Sequence, residues 1–133
     1  MNSKIISLLL LLMFSTSPLI SDTLTETPEV IVNLQLDAYN ARNIDAFVAT
    51  YAEDIEIYDA AGKLTMKGHE QLQKRYDALF KNTPNLHCRI ENRITINNKV
   101  IDKERVIMND RVVEAVAIYE VTDGKIVKVT FVK

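Results

Sequence analysis

The stretch "IEIYD", Ile55 to Asp59, places a carboxylate where a strand's alternation calls for an apolar side chain. Ile55 and Ile57 share one face, and Asp59 is the next residue on it. A carboxylate on an apolar wall is desolvated and holds its proton more tightly, which suits a proton shuttle near neutral pH. The alternative is that Asp59 caps the turn at Ala60–Gly62. Gln35 raises a similar question, since it is the one polar residue on a helical stripe with Ile31, Leu34 and Ala38. Its amide can donate to a ligand oxygen or satisfy a buried neighbour. Tyr119 shares strand parity with Val113, Ala115, Ala117 and Val121 and should face inward; the small Ala115 and Ala117 leave room for a ligand or for a close-packed helix. Asn92 falls on the apolar face of its strand and could reach the same interior. In "VIDKERVIM" parity is silent: Asp102 and Glu104 go with Val100 and Val106, Lys103 and Arg105 with Ile101 and Ile107. Inward, the acidic pair is a second acid/base set; outward, it belongs to a solvated or dimer-facing charge lattice.

Other chemistries find no residues. His69 and His87 are far apart in the chain, without acidic ligands at metal spacing, so no metal site is expected. No phosphate-binding glycine loop, nucleophile elbow or Ser–His–Asp set can be assembled, and no cofactor is implied. Cys88, the single cysteine, alternates with Leu86 and Ile90 as a small buried hydrophobe, and alone it forms no internal disulfide. A formal charge of −2 argues against nucleic acid, and no run of like charges marks a membrane patch.

The elements that position these groups follow from period and punctuation. Residues 1–21 have the layout of a secretory signal peptide: Lys4, an apolar run from Ile5 to Phe14, then small and polar residues. The run is shorter than the roughly 20 residues of a membrane span. The expectation is an exported protein cut near Ser21, with no membrane attachment afterwards, a leader over residues 22–28 and one domain over 29–133. Thr27, Pro28 and Glu29 start a helix running to about Arg42. Asn43 caps a short second helix from Ile44 to about Tyr51. After the Ile55–Asp59 strand comes a loop or irregular hairpin containing Gly62 and Gly68. "GHEQLQKRYDALF" makes the third helix. The period then switches to two, with turns at "NNK", "NDR" and "TDGK" separating four strands. The order α-α-β-α-β-β-β-β is that of an α+β fold with helices on one face of an antiparallel sheet.

"QLDAYNARNIDAFVATYAEDIEIYD", "KGHEQLQKRYDALF", "NRITINNKVIDKERV" and "VAIYEVTDGKIVKVTFV" together resemble the nuclear transport factor 2-like superfamily, in its SnoaL-like and steroid delta-isomerase-like branch. The resemblance spans Glu29 to Lys133. It implies a cone, a curved sheet wrapped around helices with an apolar pocket at one end, in a family that includes isomerases, cyclases and dehydratases and often forms dimers through its sheet face. Steroid isomerases of this kind use a strand-end carboxylate as the proton shuttle, with a helix Tyr and a late-strand Asp holding the enolate oxygen. By register the shuttle falls on Asp59, the Tyr on Gln35 and the late Asp at or near Ala117. The expected protein is therefore a cofactor-free pocket domain for a small apolar or carbonyl-containing molecule. Asp59 is its candidate general acid/base, and Gln35, Tyr119, Asn92 and Ala117 are its candidate pocket residues. The alternative is a non-catalytic ligand-binding or interaction module of the same fold.

Overall fold

Helix α1 (Pro28–Asn40) begins where Thr27 turns its hydroxyl back to accept from the Val30 N–H, with Pro28 in the first turn and Glu29 against the positive helix end. The computed structural model describes residues 26–133, so the expected export segment and most of the leader lie outside the described residues. The α1 face that turns inward carries Ile31, Val32, Gln35 and Ala38, while Leu34, expected among them, is exposed. Asn43 caps α2 (Ile44–Ala49) by accepting from the Ala46 N–H. That helix stops two residues earlier than its sequence suggests. The Thr50 hydroxyl donates to the Phe47 carbonyl, and the Thr50 carbonyl accepts from the Ile126 N–H, so Tyr51 is already the first residue of a strand.

The strands are β1 (Tyr51–Asp59), β2 (Leu64–Lys67), β3 (His87–Ile96), β4 (Lys99–Met108), β5 (Arg111–Thr122) and β6 (Lys125–Val132), with α3 (Gly68–Asn82) between β2 and β3. They form one sheet in the order β2-β1-β6-β5-β4-β3; only β1 and β6 run parallel. The sheet is curved and unclosed, and the helices fill its concave side. The β1–β2 segment is thus a hairpin, with the strand pairing broken between Ile57 and Tyr58. The last hairpin turns at Asp123–Gly124, both at positive φ as a tight Asp-Gly turn requires.

Two features of register decide which side chains reach the interior. In β3 a bulge falls between Ile90 and Asn92. Upstream of it Cys88 faces in; downstream the parity is inverted, so Arg93 turns inward while Ile94, 60% exposed, and Ile96 turn out. In β4 the inward set is Val100, Asp102, Glu104 and Val106, which resolves the ambiguity of that strand in favour of the buried acidic pair.

The core centres on Phe47, fully buried, with the rings of Tyr39, Tyr51, Tyr76 and Phe80 at centroid distances of 4.5 to 6.1 Å. The end of α1 is tied to β3 by Asn40, whose side chain accepts from the Cys88 N–H at 2.8 Å and donates to its carbonyl at 2.9 Å. In effect Asn40 extends the sheet by one residue and satisfies a backbone pair that no strand covers.

Candidate functional site

Between α1, α3 and the concave face of the sheet lies a cavity of about 870 Å³. Its walls are mostly apolar, with Leu36 from α1, Ile57 and Met66 from the first hairpin, Leu79 from α3, and Val106 and Phe131 from the sheet. A few polar groups interrupt them, and they sort by depth. Asp59 is half-buried next to the exposed Ala60 and Ala61, and so marks the mouth; Gln35, Glu104 and Tyr119 are buried and lie in the interior.

At Asp59 both sequence readings apply. The residue lines the cavity, and its Oδ1 accepts from the Ala61 N–H at 3.0 Å and the Lys63 N–H at 2.9 Å, closing the turn between β1 and β2. Gln35, 6% exposed, lines the cavity from α1, its side chain against the Tyr51 phenol. Tyr119 projects from β5 and donates its hydroxyl proton to Glu104 Oε1 at 2.8 Å. Asn92 is exposed and does not line the cavity; the bulge one residue before it turned it out of the face its parity indicated. Ala117 is fully buried between its partners Asp102 on β4 and Phe131 on β6, and is not among the lining residues. So the fold brings Asp59, Gln35 and Tyr119 to one space and leaves Asn92 and Ala117 outside it.

The group that sequence reasoning left undecided is Glu104. Its side chain is 7% exposed, and burial pushes its carboxyl up to about 7. The negative Asp102 pushes the same way, while the Tyr119 hydroxyl, Lys133 and Arg93 pull back. The surrounding phenols are all held neutral. Burial raises Tyr39, Tyr51 and Tyr119 well above the ordinary tyrosine value and Tyr76 to about 12. Burial likewise raises the Cys88 thiol to about 12, so it is an inert hydrophobe at neutral pH. Among the described residues no three His, Cys, Asp or Glu side chains gather into a metal-binding group.

A curved sheet holding helices on its concave side around one apolar cavity defines the cystatin-like, nuclear transport factor 2-like class of α+β cones. Within it the chain belongs to the SnoaL-like domain family, whose model matches residues 32–129. Solved structures repeat the fold at low identity. A cystatin-fold protein from Novosphingobium aromaticivorans is 22% identical over 80% of this chain and 98% of its own, with a TM-score of 0.73. A SnoaL-like protein of unknown function from Burkholderia thailandensis is 19% identical over 78% of this chain and 91% of its own, with a TM-score of 0.67. A protein of ketosteroid isomerase-like fold from Catenulispora acidiphila, in complex with trimethylamine, is 20% identical over 79% of this chain and 85% of its own, with a TM-score of 0.65. No curated protein matches the chain. At these identities the structural neighbours speak for the fold alone.

Proposed function

We propose that this chain is an exported pocket protein that binds a small, neutral, largely apolar carbonyl compound and moves a proton at the carbon beside the carbonyl. The observation that carries the reading is the cavity itself: about 870 Å³, apolar-walled, with buried polar groups confined to a few points of its interior. Pockets of this size and lining suit ligands whose surface is mostly hydrocarbon, with polar groups fixing orientation. The Catenulispora acidiphila protein of similar fold is in complex with a small organic molecule, trimethylamine. Asp59, its Oδ1 committed to the turn, orients the ligand at the mouth. Export rests on the sequence of residues 1–21, and recovery of a shortened chain outside the cytoplasm would bear it out. Ligand binding is tested by thermal shift. Neutral apolar ketones and polyketide-like aromatics should raise the melting temperature and charged sugars should not. A panel in which no apolar carbonyl compound does so sinks the reading.

A homodimer through the outer sheet face is favoured by a specific observation. The β3 bulge turns Ile94 and Ile96 outward, where Ile94 pairs with Ile101 and Ile101 with Ile118, and Ile107 and Val112 are exposed on the same face. An apolar row of that kind is unusual on a monomer's surface. Sedimentation should show a dimer that Ile94→Arg dissociates; a wild-type monomer at all concentrations removes this reading.

A further inference from the structure

We infer that Glu104, held by Tyr119, is the general acid/base group of the cavity, exchanging a proton with the carbon beside the carbonyl of a neutral ligand. The inference rests on the proposed ligand-binding role and assigns its chemistry to one residue of the acidic pair that the sequence offered as a second acid/base set only if it faced inward.

Geometry carries it. Oε1 of Glu104 accepts the Tyr119 hydroxyl at 2.8 Å, which anchors that oxygen. Oε2 has no protein partner among the described residues, yet no buried side-chain oxygen there is left unsatisfied, so Oε2 opens onto the cavity that Glu104 lines. Asp59 differs at each point: it sits at the mouth, and one of its oxygens already serves two backbone donors. A carboxyl with one oxygen anchored and the other facing an apolar space is positioned to pass a proton without reorienting.

The groups around Glu104 set its proton affinity. Its own strand carries Asp102, whose charge is met by Arg93 of β3, and Lys133 stands at the chain's end. β5 supplies Tyr119. β1, the helices and β3 contribute Tyr51, Tyr39, Tyr76 and Cys88, all neutral in the working range. Burial dominates, and the carboxyl comes to about 7, so both its forms are populated near neutrality. The cations among the lining residues, Arg75 and Lys133, are exposed. An anionic ligand would therefore meet the Glu104 carboxylate with no interior counter-charge, which selects a neutral one.

The step balances within the site. The carboxylate form of Glu104 takes a proton from the carbon; the electrons of that C–H bond form a carbon–carbon double bond, and the carbonyl π pair moves to oxygen, giving an enolate. The Gln35 amide, which lines the cavity from α1 beside the Tyr51 phenol, is a candidate donor to that oxygen. For exchange, the new Glu104 acid trades its proton for a solvent deuteron through the cavity mouth and delivers that deuteron to the same carbon. For isomerisation, it passes its proton to a conjugated carbon.

The test uses 2-tetralone, a neutral bicyclic ketone with exchangeable protons beside its carbonyl, in heavy water, with NMR following both binding and proton loss. The wild type should exceed the buffer rate, with a sigmoidal pH dependence rising through a midpoint near 7. Glu104→Gln should lose about a hundredfold while still binding the ketone. At saturating ketone, Asp59→Asn should keep a pH-dependent exchange with the wild-type midpoint, whatever it loses in affinity as a group at the mouth. Tyr119→Phe should keep the exchange but move its midpoint upward, because the lost donor had favoured the carboxylate, and a merely structural Tyr119 would leave the midpoint in place. In the wild type, the Glu104 carboxyl followed by carbon NMR must titrate at that same midpoint, which keeps the test open should Glu104→Gln fold poorly. Wild-type exchange in Glu104→Gln, its loss in Asp59→Asn, or a carboxyl titrating elsewhere would overturn the assignment. Binding without exchange overturns it while leaving the pocket reading intact; no binding removes both.

Discussion

Arg93 clasps Asp102 with two parallel hydrogen bonds, Nε to Oδ1 at 2.6 Å and Nη2 to Oδ2 at 2.7 Å, and Asp102 is 1% exposed. The third nitrogen, Nη1, donates to Asn33 Oδ1 at 2.6 Å, and Thr95, two residues further along β3, donates to Glu29. One buried carboxylate is thereby neutralised, and α1 is pinned to the sheet two residues from Gln35. The clasp that stabilises the fold also sets the position of one cavity wall.

Removing one partner of such a pair leaves a charge with neither water nor a counter-ion. Arg93→Leu should cost about 3–5 kcal/mol in urea unfolding. Replacing both, as Arg93→Leu with Asp102→Leu, should recover most of that loss, since a buried pair and an apolar pair of similar volume are often nearly equivalent. If the single substitution costs no more than a surface ion pair, about 1 kcal/mol or less, Asp102 is better hydrated than its burial implies.

The Glu104 carboxyl makes stability depend on pH in a definite direction. Folded, it holds its proton up to about 7; unfolded, it releases it near 4.5. Between these values the folded state binds a proton that the unfolded state does not, so this residue's contribution falls as pH rises through the window and is flat above it. Across the window the change is about 3 kcal/mol. Glu56, Glu91 and Glu120, each lowered first of all by a hydrogen bond to its side-chain donor (Tyr58, Lys103 and Lys99 respectively), act oppositely: they stabilise above the unfolded carboxylate value and lose that contribution as pH falls. The measurement is therefore the difference between wild type and Glu104→Gln. Relative to the variant, wild type should lose stability between pH 5 and pH 8 on the order of 2–3 kcal/mol. A flat difference would mean Glu104 stays ionised throughout.

Asp59 does structural work that separates its two oxygens from its charge. Asp59→Ala removes the acceptor for the Ala61 and Lys63 N–H groups and should cost about 1 kcal/mol. Asp59→Asn keeps an Oδ1 acceptor and should melt within a degree or two of wild type. Equal losses in the two variants would show that the charge, not the turn geometry, matters there.

What the sequence conveys, and what it withholds, follows from how local each signal is. The helix starts at Thr27 and Asn43 and the Asp123–Gly124 turn are written in a few adjacent residues, and so is the switch to period two after Pro84. The bulge in β3 has no such mark. Parity carried through it assigns Asn92 inward and Arg93 outward, and the opposite arrangement arises only because Arg93 must meet Asp102 across the strand pair. β4 is opaque for a related reason. From Val100 to Ile107 each of its faces carries two apolar and two charged residues, so which face turns inward depends on partners elsewhere: Arg93 to neutralise Asp102 and Tyr119 to satisfy Glu104. The candidate site was thus visible at Asp59, Gln35 and Tyr119. It was left open at Glu104, whose facing depends on contacts between strands.

Ala117 shows how a residue outside the cavity governs one inside it. On β5 the inward positions run Ala115, Ala117, Tyr119, and across the strand pair Ala115 faces Glu104 while Tyr119 faces Val100. To reach Glu104, the Tyr119 phenol must lean back along its own strand past residue 117, which a methyl group permits and a longer side chain obstructs. Ala117→Leu should therefore break the Tyr119–Glu104 hydrogen bond as well as overpack the interface with Asp102 and Phe131. The overpacking should cost about 1–3 kcal/mol. The lost donor should raise the Glu104 titration midpoint, as read by carbon NMR, in the same direction as Tyr119→Phe. Ala117→Ser, nearly isosteric, should leave that midpoint where wild type has it. A midpoint unmoved in Ala117→Leu would mean that Tyr119 reaches Glu104 by a path that residue 117 does not control.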